Sequence, residues 1–299
     1  MRFGLTTPVV TLVPRTHAGW EVDAGPDELR QIATTADRLG YDYLSCSEHV
    51  AIPAPVAAVR GGRYYEPAAT LGYIAAVTSR IRLLTHVIVL PYHHPLEVAK
   101  RYGTLDRLSG GRVILGVGVG SLEPEFRLLG VDFAGRGPRY EDALRALRAA
   151  LGTREPAYRG THYAFGDVIV DPCAVQPRVP IWIGGRSPRS LRRALELADG
   201  WDPFGLSFQM LAALLDRARA WPQWQARREP LEVVLTPDAP LTLDEPARVV
   251  DTLAAYARIG ATAMNLRFVH HSLAHYLELL EQFATEIRTM YTEGRRDTP

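Results

Sequence analysis

The sequence predicts an α/β fold, and within that class a (β/α)8 (TIM) barrel. Three observations carry this. Short β-branched apolar runs alternate with amphipathic stretches of helical length, the pattern of a parallel sheet covered on both faces. The tally is eight strand-like runs, and 299 residues is an ordinary length for eight such units. The connections are mostly short, with Pro and Gly where helices begin and end. A doubly wound sheet of six or seven strands is the competing arrangement.

Phe3 to Thr6 reads as the first strand. Pro26 to Leu39 reads as a helix, Pro26 suiting its first turn and Gly40 the position just past its end. Tyr43 to Cys46 is the second strand and runs into Ser47-Glu48-His49. The stretch from Ala51 to Tyr65, with Pro53, Pro55, Gly61 and Gly62, is irregular. Glu66 to Thr78 is helical, Ile81 to Leu90 is the third strand, and Pro95 opens a helix to Leu108. Ser109-Gly110-Gly111 then turns into the fourth strand, Arg112 to Gly118. Its apolar run dissolves into Gly116, Gly118 and Gly120 before Ser121, the form of a buried strand whose end admits a closely approaching ligand. From Leu122 to Pro180 the rhythm breaks. This stretch holds one amphipathic helix, Tyr140 to Leu151, after the turn Gly135-Arg136-Gly137-Pro138, and a hairpin over Ala157 to Phe165 turning at Arg159-Gly160. An insertion of about 122–179 between strands four and five accounts for it, because the alternation then resumes. Ile181 to Ile183, the helix Pro188 to Ala198, a strand near Trp201 and the helix Phe208 to Trp221 follow. Leu231 to Thr236 and Met264 to Phe268 supply the last strands, each followed by a helix. One domain over 1–293 and a frayed polar tail over 294–299 complete the expectation.

Composition bounds the partners. Lys+Arg 34 against Asp+Glu 33 leaves a formal net charge of +1, so no global field draws nucleic acid or an anionic membrane to the surface. Small molecules are the expected partners. Cys46 and Cys173 lack CxxC spacing, and the adjacent pairs His93-His94 and His270-His271 lack the i, i+4 spacing of helical zinc ligands, so no metal is expected. The chain enters its first strand directly at Met1 to Leu5, and no apolar run reaches membrane-spanning length, which points to a cytoplasmic enzyme. No G-x-S-x-G elbow or Walker sequence is present, which argues against a serine hydrolase or a P-loop enzyme. Trp182 and Trp201 lie in strand contexts and read as core.

In a barrel of this kind the chemistry sits at the C-terminal ends of the strands. Two features stand there. Gly184-Gly185-Arg186-Ser187-Pro188 closes a strand and opens a helix. Free N–H groups, the helix dipole, Arg186 and Ser187 can converge on a phosphate, although Ser187-Pro188 is also an ordinary cap and first helical residue. Glu48-His49 ends the second strand. A histidine there can shuttle a proton near neutral pH and an adjacent carboxylate can tune it, whereas the same dipeptide elsewhere is solvated surface. The series Gly116, Gly118, Gly120 is not a dinucleotide fingerprint, and no helix is expected immediately after it.

These residues form an ordered set. Ser47-Glu48-His49 is followed by Leu90-Pro91-Tyr92-His93-His94-Pro95 and by Thr104 to Arg112 (TLDRLSGGR), leading into Leu115 to Gly120. Pro180 to Gly185 and Asp199 to Pro203 complete it. As a series it resembles the bacterial luciferase-like superfamily, and within it the oxidoreductases that use the deazaflavin coenzyme F420. The similarity runs from about Met1 to Pro203. It implies a flat ring over the barrel mouth, backed by a bulge in strand three with a non-proline cis peptide at His86-Val87. Relatives usually carry a small residue where this chain has His86. Glu48 and His49 are implied at the reactive edge of the ring. Gly118, Gly120 and Ser121 are implied beside the cofactor, and Gly184, Gly185, Arg186 and Ser187 at its phosphate. Sugar-phosphate dehydrogenases of this type place a glutamate where Ser121 stands, with Glu123 and Glu125 nearby here. A different substrate is expected, with His49 or Tyr64 as proton donor. Arg60, Arg63 and Tyr64 in the long loop are candidates to cover the substrate and pair with a carboxylate or phosphate, if they are not simply solvated. The resemblance also implies a homodimer.

The reaction expected is hydride transfer between the deazaflavin and a C=C, C=N or C=O group of an organic substrate. An FMN-dependent monooxygenase on the same barrel is the alternative, and a non-catalytic ligand-binding barrel the second.

Overall fold

The computed structural model describes residues 1–294. Eight parallel strands close on themselves: β1 (Arg2–Thr6), β2 (Tyr43–Cys46), β3 (Arg82–Thr85), β4 (Val113–Gly118), β5 (Ile181–Gly184), β6 (Gly200–Asp202), β7 (Glu232–Leu235) and β8 (Ala263–Leu266). Each pairs with the next, and β8 closes on β1 with Ala263 opposite Arg2. This is the (β/α)8 barrel the alternation predicts. The helices that face the sheet are α1 (Pro26–Leu39), α2 (Pro67–Val77), α3 (Pro95–Ser109), α4 (Arg136–Ala150), α5 (Pro188–Leu197), α6 (Phe208–Arg219), α7 (Pro246–Ile259) and α8 (Leu273–Gln282).

The barrel interior is filled by Tyr43, Leu84, Ile114, Trp182, Val234 and Ala263. Tyr43 and Trp182 meet edge to face at 5.4 Å. Their bulk is matched by missing side chains opposite: a Cβ on Gly4 would lie 2.1 Å from the Tyr43 ring, and one on Gly200 2.4 Å from Trp182. Large against small is how a closed barrel fills its axis. Trp182 and Trp201 are both fully buried, as core. The outer core, between strands and helices, is dominated by Leu, Ile, Val and Ala. Each fully buried aliphatic side chain there contributes about 1.5–3 kcal/mol.

Helix ends follow local chemistry. Pro26 opens α1, Glu28 accepts a hydrogen bond from the Gly25 N–H at 2.8 Å, and Gly40 closes the helix in the left-handed region. Glu66 caps α2 by accepting from Ala69 N, and Gly110 ends α3 as Gly40 ends α1.

Several expectations are corrected. The third strand does not run unbroken to Leu90: it stops at Thr85, the His86-Val87 peptide is cis, and Ile88–Val89 resumes against Val117 and Gly118. The irregular loop holds a short helix, Ala54–Arg60, and a strand, Arg63–Tyr64, paired antiparallel with Thr11–Leu12. A helix does follow the glycine series, at Glu123–Leu128. The turn residues Arg136 to Pro138 are already the first turn of α4, which packs against α3 and α5. The stretch set apart as an insertion therefore contains the barrel's own fourth helix. Its hairpin pairs Tyr158–Arg159 with Ala164–Phe165. Gly294 ends the last helix, and the rest of the expected frayed tail, 295–299, lies outside the described residues.

Candidate functional site

The C-terminal strand ends open into a cavity of ≈ 930 Å³, a size suited to a cofactor together with a small ligand. Of the residues singled out in the sequence, Glu48, His49, Arg60, Tyr64, His86, Val87, Gly118, Gly120, Ser121, Gly184, Gly185, Arg186 and Ser187 line it. Arg63 does not. The small sheet with Thr11–Leu12 turns its guanidinium onto the backbone, where it donates to the carbonyls of Glu21 at 2.9 Å and Val22 at 2.6 Å.

His49 stands on the wall with its ring edge-on to Tyr64, centroids 4.6 Å apart. Its Nδ1 lies 2.6 Å from Oε2 of Glu125, a buried residue of the Glu123–Leu128 helix. The same carboxylate accepts from Tyr92 Oη at 3.0 Å and from the N–H groups of Val50 at 2.7 Å and Ala51 at 3.1 Å. Burial pushes the Glu125 carboxyl up, but the His49 bond, the two N–H groups and the His49 charge outweigh it and hold the pKa below the ordinary value. An ionised, acceptor-only Glu125 fixes the His49 tautomer with the proton on Nδ1. Nε2 is left with no partner among the described residues.

The carboxylate bonded to His49 is thus Glu125 and not its neighbour Glu48. Glu48 accepts from Val89 N at 2.6 Å with Oε2, and its Oε1 lies 2.8 Å from His93 Nε2. Both residues line the cavity, but Glu48 is held by the segment after β3 while His49 is held by Glu125. His93 and Tyr92 are therefore supporting residues that spacing alone does not reveal.

The glycines at the ends of β4 and β5 have a different reason from the one their pattern suggests. A Cβ on Gly118 would sit 2.7 Å from Val87 Cγ2, and one on Gly184 2.8 Å from Val87 Cγ1. They make room for Val87, whose side chain wedges between the two strands to form the cavity floor.

His86 turns into the barrel. Its buried Nε2 lies 3.3 Å from Asp202 Oδ1 without hydrogen-bond geometry. Burial pulls its pKa down, the Asp202 charge and side chain pull it up further, and Arg267 opposes them, leaving it raised. Asp202 accepts from Asn265 Nδ2 at 2.8 Å, and Asn265 Oδ1 accepts from Tyr43 Oη at 2.5 Å. The floor is thus a polar chain running from His86, which lines the cavity, through the fully buried Asp202 to the barrel axis, and His86 Nε2 and Asp202 Oδ2 lack hydrogen-bond partners.

At the β4–β5 side, Ser187 is a true cap of α5: it accepts from Ser190 N at 3.2 Å, and Ser190 donates back to the Ser187 carbonyl at 2.7 Å. Arg186 is exposed and has no acidic partner among the described residues. Arg136 donates to the Gly120 carbonyl at 3.2 Å and also lacks an acidic partner, while Arg193 is paired with Glu141 at 2.7 Å. Arg60 reaches Ser121 Oγ at 3.5 Å, and Tyr64 donates to the Arg60 carbonyl at 2.7 Å, closing the loop over His49.

No helix among the described residues is long and apolar enough to cross a membrane. The uncharacterised protein Rv0940c of Mycobacterium tuberculosis (strain ATCC 25618 / H37Rv) is 30% identical over 219 residues, 73% of this chain and 75% of that protein. Among solved structures, monooxygenase RslO1 from Streptomyces bottropensis superposes with a TM-score of 0.78 at 19% identity, over 97% of this chain and 100% of that one. The coenzyme F420-dependent tetrahydromethanopterin reductase from Methanopyrus kandleri does so with 0.72 at 16% identity, over 97% and 99%. At these identities the superpositions speak to the fold. The family model for luciferase-like monooxygenases matches residues 1–298, and the chain belongs to that family.

Proposed function

We propose that the protein is a coenzyme F420-dependent oxidoreductase that transfers a hydride between the deazaflavin and a C=C, C=N or C=O group of a small organic substrate. The observation that carries this reading is the His49–Glu125 pair, which holds the imidazole by Nδ1 and presents its Nε2, unpartnered among the described residues, to the cavity.

The cavity fits the cofactor. His86 Nε2, on the cavity floor and without a hydrogen-bond partner among the described residues, matches a carbonyl oxygen of a pyrimidine-dione ring. The Arg136 and Arg186 guanidiniums, beside the N-terminus of α5, match an anionic tail. When bound, the deazaflavin supplies a carbon-centred hydride carrier that activates oxygen poorly. The chain's own residues do the rest. Val87 shapes the floor, the α5 end and the two arginines hold the tail, and Tyr64 and Arg60 cover the wall. His49 gives or takes a proton at Nε2, with Glu125 keeping the ring oriented.

A second reading, FMN-dependent monooxygenation, is supported by the family's name and by the likeness to the oxygenating constituent of 3,6-diketocamphane monooxygenase from Pseudomonas putida, solved in complex with FMN. Titration of the purified protein with F420 and with FMN, followed by fluorescence, separates the two. F420 binding without oxygen uptake is expected. Tight FMN binding with oxygen uptake would overturn the F420 reading, and binding of neither would leave a ligand-binding barrel.

A further inference from the structure

Arg267 follows β8 and shares the inward-facing parity of Asn265, so its guanidinium lies on the cavity wall above the barrel axis. It has no ion pair with any described carboxylate. Its Nε is buried without a partner, and the guanidinium's only hydrogen bond among the described residues is a long one, 3.5 Å, to the Pro237 carbonyl. Asp202 accepts from Asn265 and Glu21 accepts from the N–H groups of Val9 and Ala18, and neither acid lies within ion-pair distance of Arg267. Burial lowers the pKa of Arg267 and no anion offsets it. A guanidinium does not lose its proton, so a half-buried one on a cavity wall with no counter-charge is a ready seat for an anion.

The cofactor's tail does not meet that need. In the closed strand order β8 lies across the barrel from β4, whereas the unpaired arginines suited to the tail, Arg136 and Arg186, stand at the β4 and β5 ends. Thr236, after β7, adds a hydroxyl to the same side of the cavity.

We propose that Arg267 is the anchor for a carboxylate or phosphate group on the substrate, which makes the substrate an organic anion held between the β7–β8 wall and His49. Calling the anion a substrate rests on the redox reading above; the binding of the anion does not. Both oxygens of a carboxylate, or two of a phosphate, suit the fork of one guanidinium, and a neutral amide of the same shape does not.

Calorimetric titration of the full-length protein without cofactor tests this, using benzoate, phenyl phosphate and neutral benzamide on wild type, R267Q and R186A. At least one anion is expected to bind wild type at least about tenfold more tightly than benzamide, with that preference lost in R267Q and kept in R186A. Melting is the control for folding: an unliganded R267Q protein should melt no lower than wild type, since the change removes an unpaired, half-buried charge. A marked drop in melting temperature would make Arg267 a structural residue and overturn the proposal. So would equal binding of benzamide, no anion binding by wild type at the solubility limit, or loss of anion binding in R186A alone. F420 titration of the same proteins separates the two readings. R267Q losing F420 affinity while keeping anion binding would assign Arg267 to the cofactor and overturn the anchor. Wild type binding the anion but neither F420 nor FMN would sink the redox reading and leave the anchor standing.

Discussion

Oε2 of Glu125 stands 2.6 Å from Nδ1 of His49 across 76 residues of chain. Four donors converge on that one carboxylate: His49, Tyr92, Val50 and Ala51. With its oxygens filled, Glu125 orients the imidazole rather than meeting a ligand. Glu125→Gln replaces an acceptor oxygen by a donor and is expected to lower turnover about 10–100-fold and stability by about 1–3 kcal/mol. Because the folded pKa of Glu125 is depressed, its contribution is fully present above the ordinary value of 4.5 and is lost as pH falls through the lower folded value. Urea unfolding across pH should find the wild-type advantage over Glu125→Gln flat above that value and shrinking below it. An advantage that grows in acid contradicts the assignment.

On the proposed reading, His49→Ala removes the group that moves the proton but none of the groups that would hold the cofactor. Turnover should fall about 10²–10⁴-fold, with cofactor affinity unchanged within a few-fold. Stopped-flow reduction and equilibrium fluorescence read the two quantities separately. Equal losses in both would make His49 a binding residue.

Val87 fills the space that Gly118 and Gly184 leave open. Gly118→Ala forces a methyl to within 2.7 Å of Val87 Cγ2 and is expected to destabilise by about 1–3 kcal/mol. In a Val87→Ala background the same change should cost less, with a coupling of about 1 kcal/mol or more in a double-mutant cycle. Strict additivity would show that the glycine is needed for something other than Val87.

That pair shows where sequence reasoning reaches and where it stops. Pro26, Gly40, Glu66 and Gly110 act on residues within a few positions, so their helices are legible from local chemistry. Gly118 is legible as a close approach, but what approaches is Val87, placed by the break in β3, and no local signal says so. The site shows the same division. His49 can be suspected from its address at a strand end. Its true partner Glu125 sits on a six-residue helix too short to carry a periodic pattern. Arg267 and Asp202 look like unremarkable strand-end charges until the closed barrel sets one on the cavity wall and buries the other beneath His86.

Arg112 carries the same lesson for the TLDRLSGGR stretch, whose order marks the family but whose job is structural. Its guanidinium donates to the carbonyls of Ser109 at 2.8 Å, Ala75 at 2.9 Å, Ile81 at 3.0 Å and Thr78 at 3.2 Å, and to Thr78 Oγ1 at 2.9 Å. It locks the ends of α2 and α3 to the approach of β3. A lysine cannot span these acceptors, so Arg112→Lys is expected to cost about 2–4 kcal/mol in guanidinium unfolding. Activity well below the melting temperature should be nearly unchanged. A loss of turnover in the folded variant would place Arg112 in the site.

Trp20 and His270 form a second test of an assigned tautomer. Indole N–H only donates, so the 2.9 Å contact from Trp20 Nε1 makes His270 Nδ1 an acceptor and leaves the ring neutral, with its proton on Nε2, 3.6 Å from Glu21 Oε1. Burial lowers the His270 pKa, Glu21 opposes this, and His275 and His271 add to it, with the net direction downward from 6.5. A histidine with a depressed folded pKa stabilises above its unfolded value and loses that contribution as pH falls through the folded one. Acid puts a proton on Nδ1 and expels the indole donor. The Trp20 share of the fluorescence, taken as the difference between wild type and Trp20→Phe, should therefore shift only as pH falls below 6.5, while the protein is still folded. His270→Phe should abolish the shift. A Trp20 signal that stays flat over that range while the protein remains folded means that the indole does not depend on a neutral His270.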